Sequence, residues 1–372
     1  MGHIHAGKEE VYRALAERLG RNPVGVVINE NLMKILKSLY TETEAGLGVK
    51  FPMKPVTFED IVKITGMPEQ TLRENLEKMA GKGLVMDILH GETVYYLLTP
   101  MVIGFFEYTF MRAGSVGSRE MAELFERYFN NEGVAKELFG SSTKMFKTLI
   151  YEKLIPAVVH TEVLSYEKAS EIIRKSGGGS LGMCSCRHKA VHLGKACGMP
   201  VEEVCTTMGP WAEWMVRRGF SKKASVDDLL RNLERSEKLG LVMMVDNVLN
   251  RPAYICHCCG CCCTMLRAFN EHRVMPVHTS NFISVVDTSL CLGCAACEDS
   301  CHIHAITMDE RAGLSVIDSE TCLGCGVCVN SCPSGALEIR RRETLHTPPK
   351  NKTEQFAGIA LERERLEFLN PR

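Results

Sequence analysis

The sequence lacks a surplus of charge: 44 Lys and Arg stand against 45 Asp and Glu in 372 residues, a formal net charge of −1. That balance creates no general field for nucleic acid or for an anionic membrane surface. It also lacks long apolar runs. A spanning helix needs ~18 consecutive apolar residues, whereas the run 101–106 has the length of a soluble-core segment. Met1-Gly2-His3-Ile4-His5 leads straight into Lys8-Glu9-Glu10, with no basic segment followed by an apolar one. The expectation is therefore a cytoplasmic chain without a secretory signal. No G-x-G-x-x-G follows a candidate strand, and Gly177-Gly178-Gly179 lacks the Walker lysine spacing, so no organic cofactor site is read. Most telling, residues 1–183 contain no cysteine.

What is there is the reverse. All 18 cysteines lie between Cys184 and Cys332. The rest of the composition, 45% hydrophobic and 24% charged, is that of an ordinary globular protein. At ~150 residues per domain the length suggests two or three domains. A reducing compartment keeps thiols free, so cysteines this dense read as metal ligands or redox centres and not as disulfides.

In the cysteine-free part, apolar spacing predicts helices over 8–20, 31–40, 58–65 and 69–80. Thr57 is the expected N-cap of the third, Gly66 its stop, and Gly81 and Gly83 end the fourth. Segments 84–89 and 93–98 read as a hairpin joined by His90-Gly91-Glu92. This order, over about residues 8–100, resembles the winged-helix domains of bacterial regulators. In helix 69–80 and its end, Glu69, Glu74 and Glu77 cancel Arg73, Lys78 and Lys82. A groove-binding helix presents net positive charge, so nucleic acid is not the expected partner. Docking, or a homo-oligomer through the winged-helix-like region, is. Helices are also expected over 120–130, 166–175 and 361–369, with a flexible break at Ser176-Gly177-Gly178-Gly179-Ser180.

The strongest signal is a repeat. Cys291, Cys294, Cys297 and Cys301 follow the pattern C-x2-C-x2-C-x3-C, and Cys322, Cys325, Cys328 and Cys332 repeat it 31 residues on, with Pro333 next. Over about residues 284–340 the chain resembles the two-cluster bacterial ferredoxins. The resemblance implies one 4Fe–4S cluster held by Cys291, Cys294, Cys297 and Cys332, and a second held by Cys322, Cys325, Cys328 and Cys301. Gly293, Gly324 and Gly326 suit the sharp ligand loops. The sequence departs from the family's pattern at His302, where the other half has Pro333. That histidine is either a ring that tunes the neighbouring cluster or an exposed replacement.

Ten cysteines remain. Cys184, Cys186, Cys197 and Cys205 form one group, and Cys256, Cys258, Cys259, Cys261, Cys262 and Cys263 form a second, six in eight residues. Thiols this crowded call for a soft metal. Each group makes its own site, or the two pair across the fold; the sites hold one or two further iron–sulfur clusters, or zinc. In the zinc case His188 and His192, at i,i+4, join Cys184 and Cys186. Arg187 either offsets thiolate charge or is an ordinary exposed arginine. Cys258-Cys259-Gly260 is similar to the twin-cysteine modules of heterodisulfide reductases, but the nearest cysteine before the 256–263 run, Cys205, is 53 residues from Cys258.

Over most of its length the chain resembles a group from anaerobic bacteria and archaea described only as 4Fe–4S dicluster-containing proteins, a resemblance that implies no particular reaction. That group has a winged-helix front, a Cys-x-Cys-Arg motif, a Cys-Cys-Gly-Cys-Cys-Cys run and a terminal ferredoxin. The expected architecture is α+β and multidomain. It divides into a winged-helix-like domain (1–100), a helical connecting region (101–179), a cysteine-rich metal-binding region (180–283), a dicluster ferredoxin domain (284–340) and a tail (341–372). The expected function is electron transfer to or from a redox protein or oxidoreductase complex. The alternatives are a redox-responsive DNA-binding regulator, or a reductase subunit with catalysis at the central cysteines.

Overall fold

A computed structural model describes residues 2–112, 118–157 and 165–369. The chain opens with five helices, α1 (Gly2–Gly20), α2 (Glu30–Leu39), α3 (Glu42–Lys50), α4 (Phe58–Thr65) and α5 (Glu69–Lys82), and the hairpin β1 (Val85–His90) and β2 (Thr93–Leu98). The sequence reading missed α3, which starts at a capping box between Thr41 and Glu44. Thr57 does cap α4 by the same device, and Gly66 ends it in the left-handed region at φ 64°. Gly81 does not end α5. The helix runs on to Lys82, and Gly83 ends it at φ 76°, where a Cβ would lie 2.4 Å from the Cβ of Tyr108. Close packing, more than helix propensity, picks the stopping point. In the hairpin His90 pairs with Thr93, so the turn is the two residues Gly91-Glu92 and not three.

Next come α6 (Phe106–Phe110), α7 (Arg119–Phe129), α8 (Glu132–Phe139), β3 (Phe146–Leu149), α9 (Ala169–Ser176), β4 (Gly179–Gly182), α10 (Ser185–His192), β5 (Cys205–Met208), α11 (Gly209–Arg217), β6 (Ser221–Ala224), α12 (Val226–Lys238), β7 (Val242–Asp246), β8 (Tyr254–Cys258) and α13 (Thr264–His272). Six of these strands form one antiparallel sheet in the order β3-β7-β8-β5-β4-β6. The supposed break Ser176-Gly177-Gly178-Gly179-Ser180 is a tight helix-to-strand turn leading into that sheet, with Gly177 closing α9 at φ 71°. A Cβ on Gly179 would lie 2.1 Å from the carbonyl oxygen of Thr207, so that glycine serves close strand approach.

The last part comprises β9 (Phe282–Val286), α14 (Ala296–Ser300), β10 (Ile306–Asp309), β11 (Leu314–Ile317), α15 (Val327–Ser331), β12 (Leu337–Arg341), α16 (Lys352–Glu362) and α17 (Leu366–Leu369). Strands β9 and β12 pair, as do β10 and β11, both antiparallel. The tail helix begins earlier than expected and packs on the body. Fully buried Gln355 donates to the carbonyls of Lys144, Met145 and Asn247 at 3.0–3.1 Å.

The parts share one core. A continuous buried apolar cluster runs from Leu15 and Leu36 through Phe125 and Met244 to Leu323 and Val327. The hairpin is fastened to α11 by charge. Buried Asp87 on β1 accepts from Trp214 Nε1 at 2.9 Å, from Arg217 at 2.6 Å and from Arg218 at 2.6 Å, and Arg218 also reaches Glu77 of α5 at 2.5 Å.

Candidate metal centres

The eight ferredoxin-type cysteines separate by place. Cys291, Cys294, Cys297 and Cys332 line one small cavity, and Cys301, Cys322, Cys325 and Cys328 line another. Each quartet joins three cysteines of one repeat to the fourth of the other, the grouping that the ferredoxin resemblance implies. The loops turn through left-handed backbone at Gly293 and Gly324 (φ 63° and 66°), and α14 and α15 start from Ala295 and Gly326 at φ 59° and 87°. A Cβ on Gly324 would lie 2.0 Å from the carbonyl oxygen of Phe282, so no other residue fits there.

The donors around these sulfurs suit thiolates. Ser315 Oγ lies 3.0 Å from Cys297 Sγ, Ser284 Oγ 3.2 Å from Cys328 Sγ, and the Ala305 amide donates to Cys301 Sγ at 3.2 Å. Such bonds favour the charged sulfur. Amides of Ser315 and Gly293 hold the Cys291 thiol below its ordinary value, whereas burial pushes Cys328 up to about 12. A buried thiol that resists ionisation alone is a ligand whose proton a metal must displace. These residues fit 4Fe–4S clusters.

His302 is neither exposed nor idle. Its Nδ1 accepts from the Gly260 amide at 3.1 Å, and its Nε2 donates to the Gly240 carbonyl at 2.7 Å. The Asn270 side chain donates to its carbonyl at 3.1 Å. The residue after Cys301 is thus bolted to the middle of the central cysteine run, and a Cβ on Gly260 would lie 2.3 Å from the His302 carbonyl oxygen.

The ten upstream cysteines do not group as two sequence blocks; they pair across the fold and sort into six and four. Cys184, Cys186, Cys205, Cys256, Cys258 and Cys263 line one cavity of about 80 Å³. Cys184 precedes α10 and Cys186 lies in its first turn, Cys205 opens β5, Cys256 and Cys258 share a face of β8, and Cys263 precedes α13. Five of the six thiols influence one another's ionisation in series, Cys205 with Cys256, Cys256 with Cys258, Cys258 with Cys263 and Cys263 with Cys186. The other four are Cys197, Cys259, Cys261 and Cys262, whose sulfurs all lie within 4.8 Å of one another. A site built from Cys184, Cys186, Cys197 and Cys205 is therefore not formed. The pleat of β8 aims residues 256 and 258 one way, and the turn after it carries 259, 261 and 262 the other.

The zinc arrangement through His188 and His192 is not formed either. The two rings lie 4.7 Å apart, but His188 Nδ1 is bound to the Phe110 carbonyl at 2.7 Å, and the close four-thiol group contains no histidine. Twin Cys258 and Cys259 point to different groups, which separates this run from a single twin-cysteine site. Arg187 is the opposite of an exposed residue. It is 2% exposed and donates to the carbonyls of Pro200 at 2.9 Å and His257 at 2.7 Å. Burial opposes its charge, but Cys184 and Cys259, one from each group, hold it firmly protonated. In return Cys259 is drawn down to about 4, first by the Cys262 thiol and then by Arg187.

One residue of the central cavity escaped the sequence reading. Glu107 lines it, accepts from the Gly104 amide at 2.8 Å, and is raised by burial to about 8. Its signal was a lone carboxylate within the apolar stretch Phe105-Phe106-Glu107-Tyr108. No helix among the described residues is long and apolar enough to cross a membrane.

No curated protein and no solved structure matches this chain. One match is found within it: residues 290–336, the segment that carries both ferredoxin quartets, match the family described as a 4Fe-4S dicluster domain.

Proposed function

We propose that this protein transfers electrons between a redox partner and the six-cysteine centre, with the dicluster domain as the port of entry or exit. The observation that carries this is a shared wall. Val242 of β7 lines the cavity of Cys301, Cys322, Cys325 and Cys328, and in the sheet it pairs directly with Cys258, a member of the six. One strand pair thus separates the two cysteine sets. When bound, 4Fe–4S clusters supply one-electron redox chemistry at potentials set by their surroundings. The chain's own part is to hold the thiolates, to donate to them from Ser284, Ser315 and the Ala305 amide, and to keep water out with a shell of buried apolar residues.

The regulator alternative is disfavoured by the same fold. Glu77 of α5 and Asp87 of β1 are engaged by Arg218 of the central part, so the helix and hairpin act as a docked module. Catalysis at the six-cysteine centre is favoured by one observation, the buried Glu107 carboxyl in that cavity, which suits a proton donor beside a redox site.

The test is an anaerobic redox titration of the full chain followed by electron paramagnetic resonance. Signals from two reduced clusters plus a further centre, lost in Cys256→Ser but with the dicluster signals kept, support the proposal. A six-cysteine centre that takes no electron at any potential overturns it.

A further inference from the structure

The four sulfurs of Cys197, Cys259, Cys261 and Cys262 are too close together for a cluster. Cys197 Sγ lies 3.7 Å from Cys259 Sγ, and Cys261 Sγ lies 3.7 Å from Cys262 Sγ. Metal–sulfur bonds of ~2.3 Å in a tetrahedron place the sulfurs about 3.8 Å apart along each edge. In a cubane each thiolate binds a different iron, and four irons and four sulfides lie between the thiolates. A quartet gathered within 4.8 Å leaves no room for them.

The same molecule supplies the contrast. Among the described residues this is the one group of three or more cysteine, histidine or carboxylate ligand atoms that converges so tightly. Neither ferredoxin-type quartet does so, although each surrounds a cavity of its own, and no three of the six cysteines do so around theirs. One convergent thiol group and three more open ones thus stand side by side in one chain.

We propose that Cys197, Cys259, Cys261 and Cys262 bind one tetrahedral divalent ion, zinc or ferrous iron, and not an iron–sulfur cluster. The ion is bound entirely by thiolates, with all four positions filled by the chain, the closed coordination of a structural site. It joins the loop after α10 to the turn after β8. That turn is in turn fastened to the dicluster domain by the Gly260–His302 bond. Arg187, buried beside Cys259, offsets part of the double negative charge that four thiolates around a divalent ion leave. The ion therefore locks the central and dicluster regions in register, while Cys256, Cys258 and Cys263, from the same run, serve the six-cysteine centre.

The test compares the full chain with Cys261→Ser, whose side chain is exposed, and with Cys197→Ser, all purified without oxygen and assayed for zinc, iron and acid-labile sulfide. The expected result is loss of about one zinc, or about one iron with no sulfide, in both variants, with the signals of the dicluster domain unchanged. In the wild-type protein, zinc-edge X-ray absorption, or Mössbauer spectroscopy for the iron case, should show one metal with four sulfur ligands at ~2.3 Å. This reading needs no folded variant. Loss of about four irons and four sulfides, or a wild-type protein with no such ion, overturns the proposal. Either result leaves the electron-transfer reading to be judged by its own titration.

Discussion

Single side chains in this molecule carry large electrostatic loads. Glu126 of α7 is the clearest case. It meets Lys189, which is 1% exposed, and Arg267 at 3.0 Å, and so neutralises a buried ammonium in the very helix that carries Cys186. Burial would raise its pKa, but the bond to Arg267 and the charge of Lys189 outweigh this and bring it down to about 2. Because its folded value is depressed, its contribution to stability is full above its unfolded value and is lost as pH falls from there towards 2. Glu126→Gln strands Lys189 and is expected to cost about 3 kcal/mol, read as a lowered midpoint in anaerobic denaturant unfolding at pH 7. Towards pH 2 the difference between wild type and variant should shrink.

At the scale of elements, the hairpin depends on one carboxylate. Asp87 gathers Trp214, Arg217 and Arg218, and its pKa is lowered by those two arginines against the opposing effect of burial. Asp87→Ala leaves Arg218 half-paired and should loosen β1 and β2 from α11. Faster amide exchange over 85–98 with unchanged exchange in β9 and β12 is the expected outcome. Elements were legible in the sequence where local chemistry decides them. Thr57, Gly66, the α5 face of Leu72, Leu76 and Met79, and the doubled cysteine spacing each act within a few residues. The six-stranded sheet was not legible, because its strands are four or five residues long and one of them, β3, pairs with β7 far along the chain. The sorting of the central cysteines was hidden for a related reason. It depends on which way β8 faces within that sheet, and a run of six thiols has no alternation of apolar and polar residues to reveal it.

For the whole molecule, the continuous core and the metal sites are linked. Cys258 and Cys263 belong to the same buried cluster as Leu36 and Phe125. Stripping the metals with a chelator under anaerobic conditions is therefore expected to lower the thermal midpoint of the helical N-terminal part too, followed by circular dichroism at a helix band. A chain in which only the cysteine-bearing half melts earlier would show that the two halves are not coupled. A further consequence lies in the segment 256–263, which supplies cysteines to two neighbouring groups at once, both proposed above to hold metal. Filling either group fixes backbone that the other must otherwise order, so occupancy of one raises the affinity of the other, and by the same factor in both directions. Chains with both proposed centres filled are then favoured over half-loaded ones, and loss at one centre weakens the hold on its neighbour.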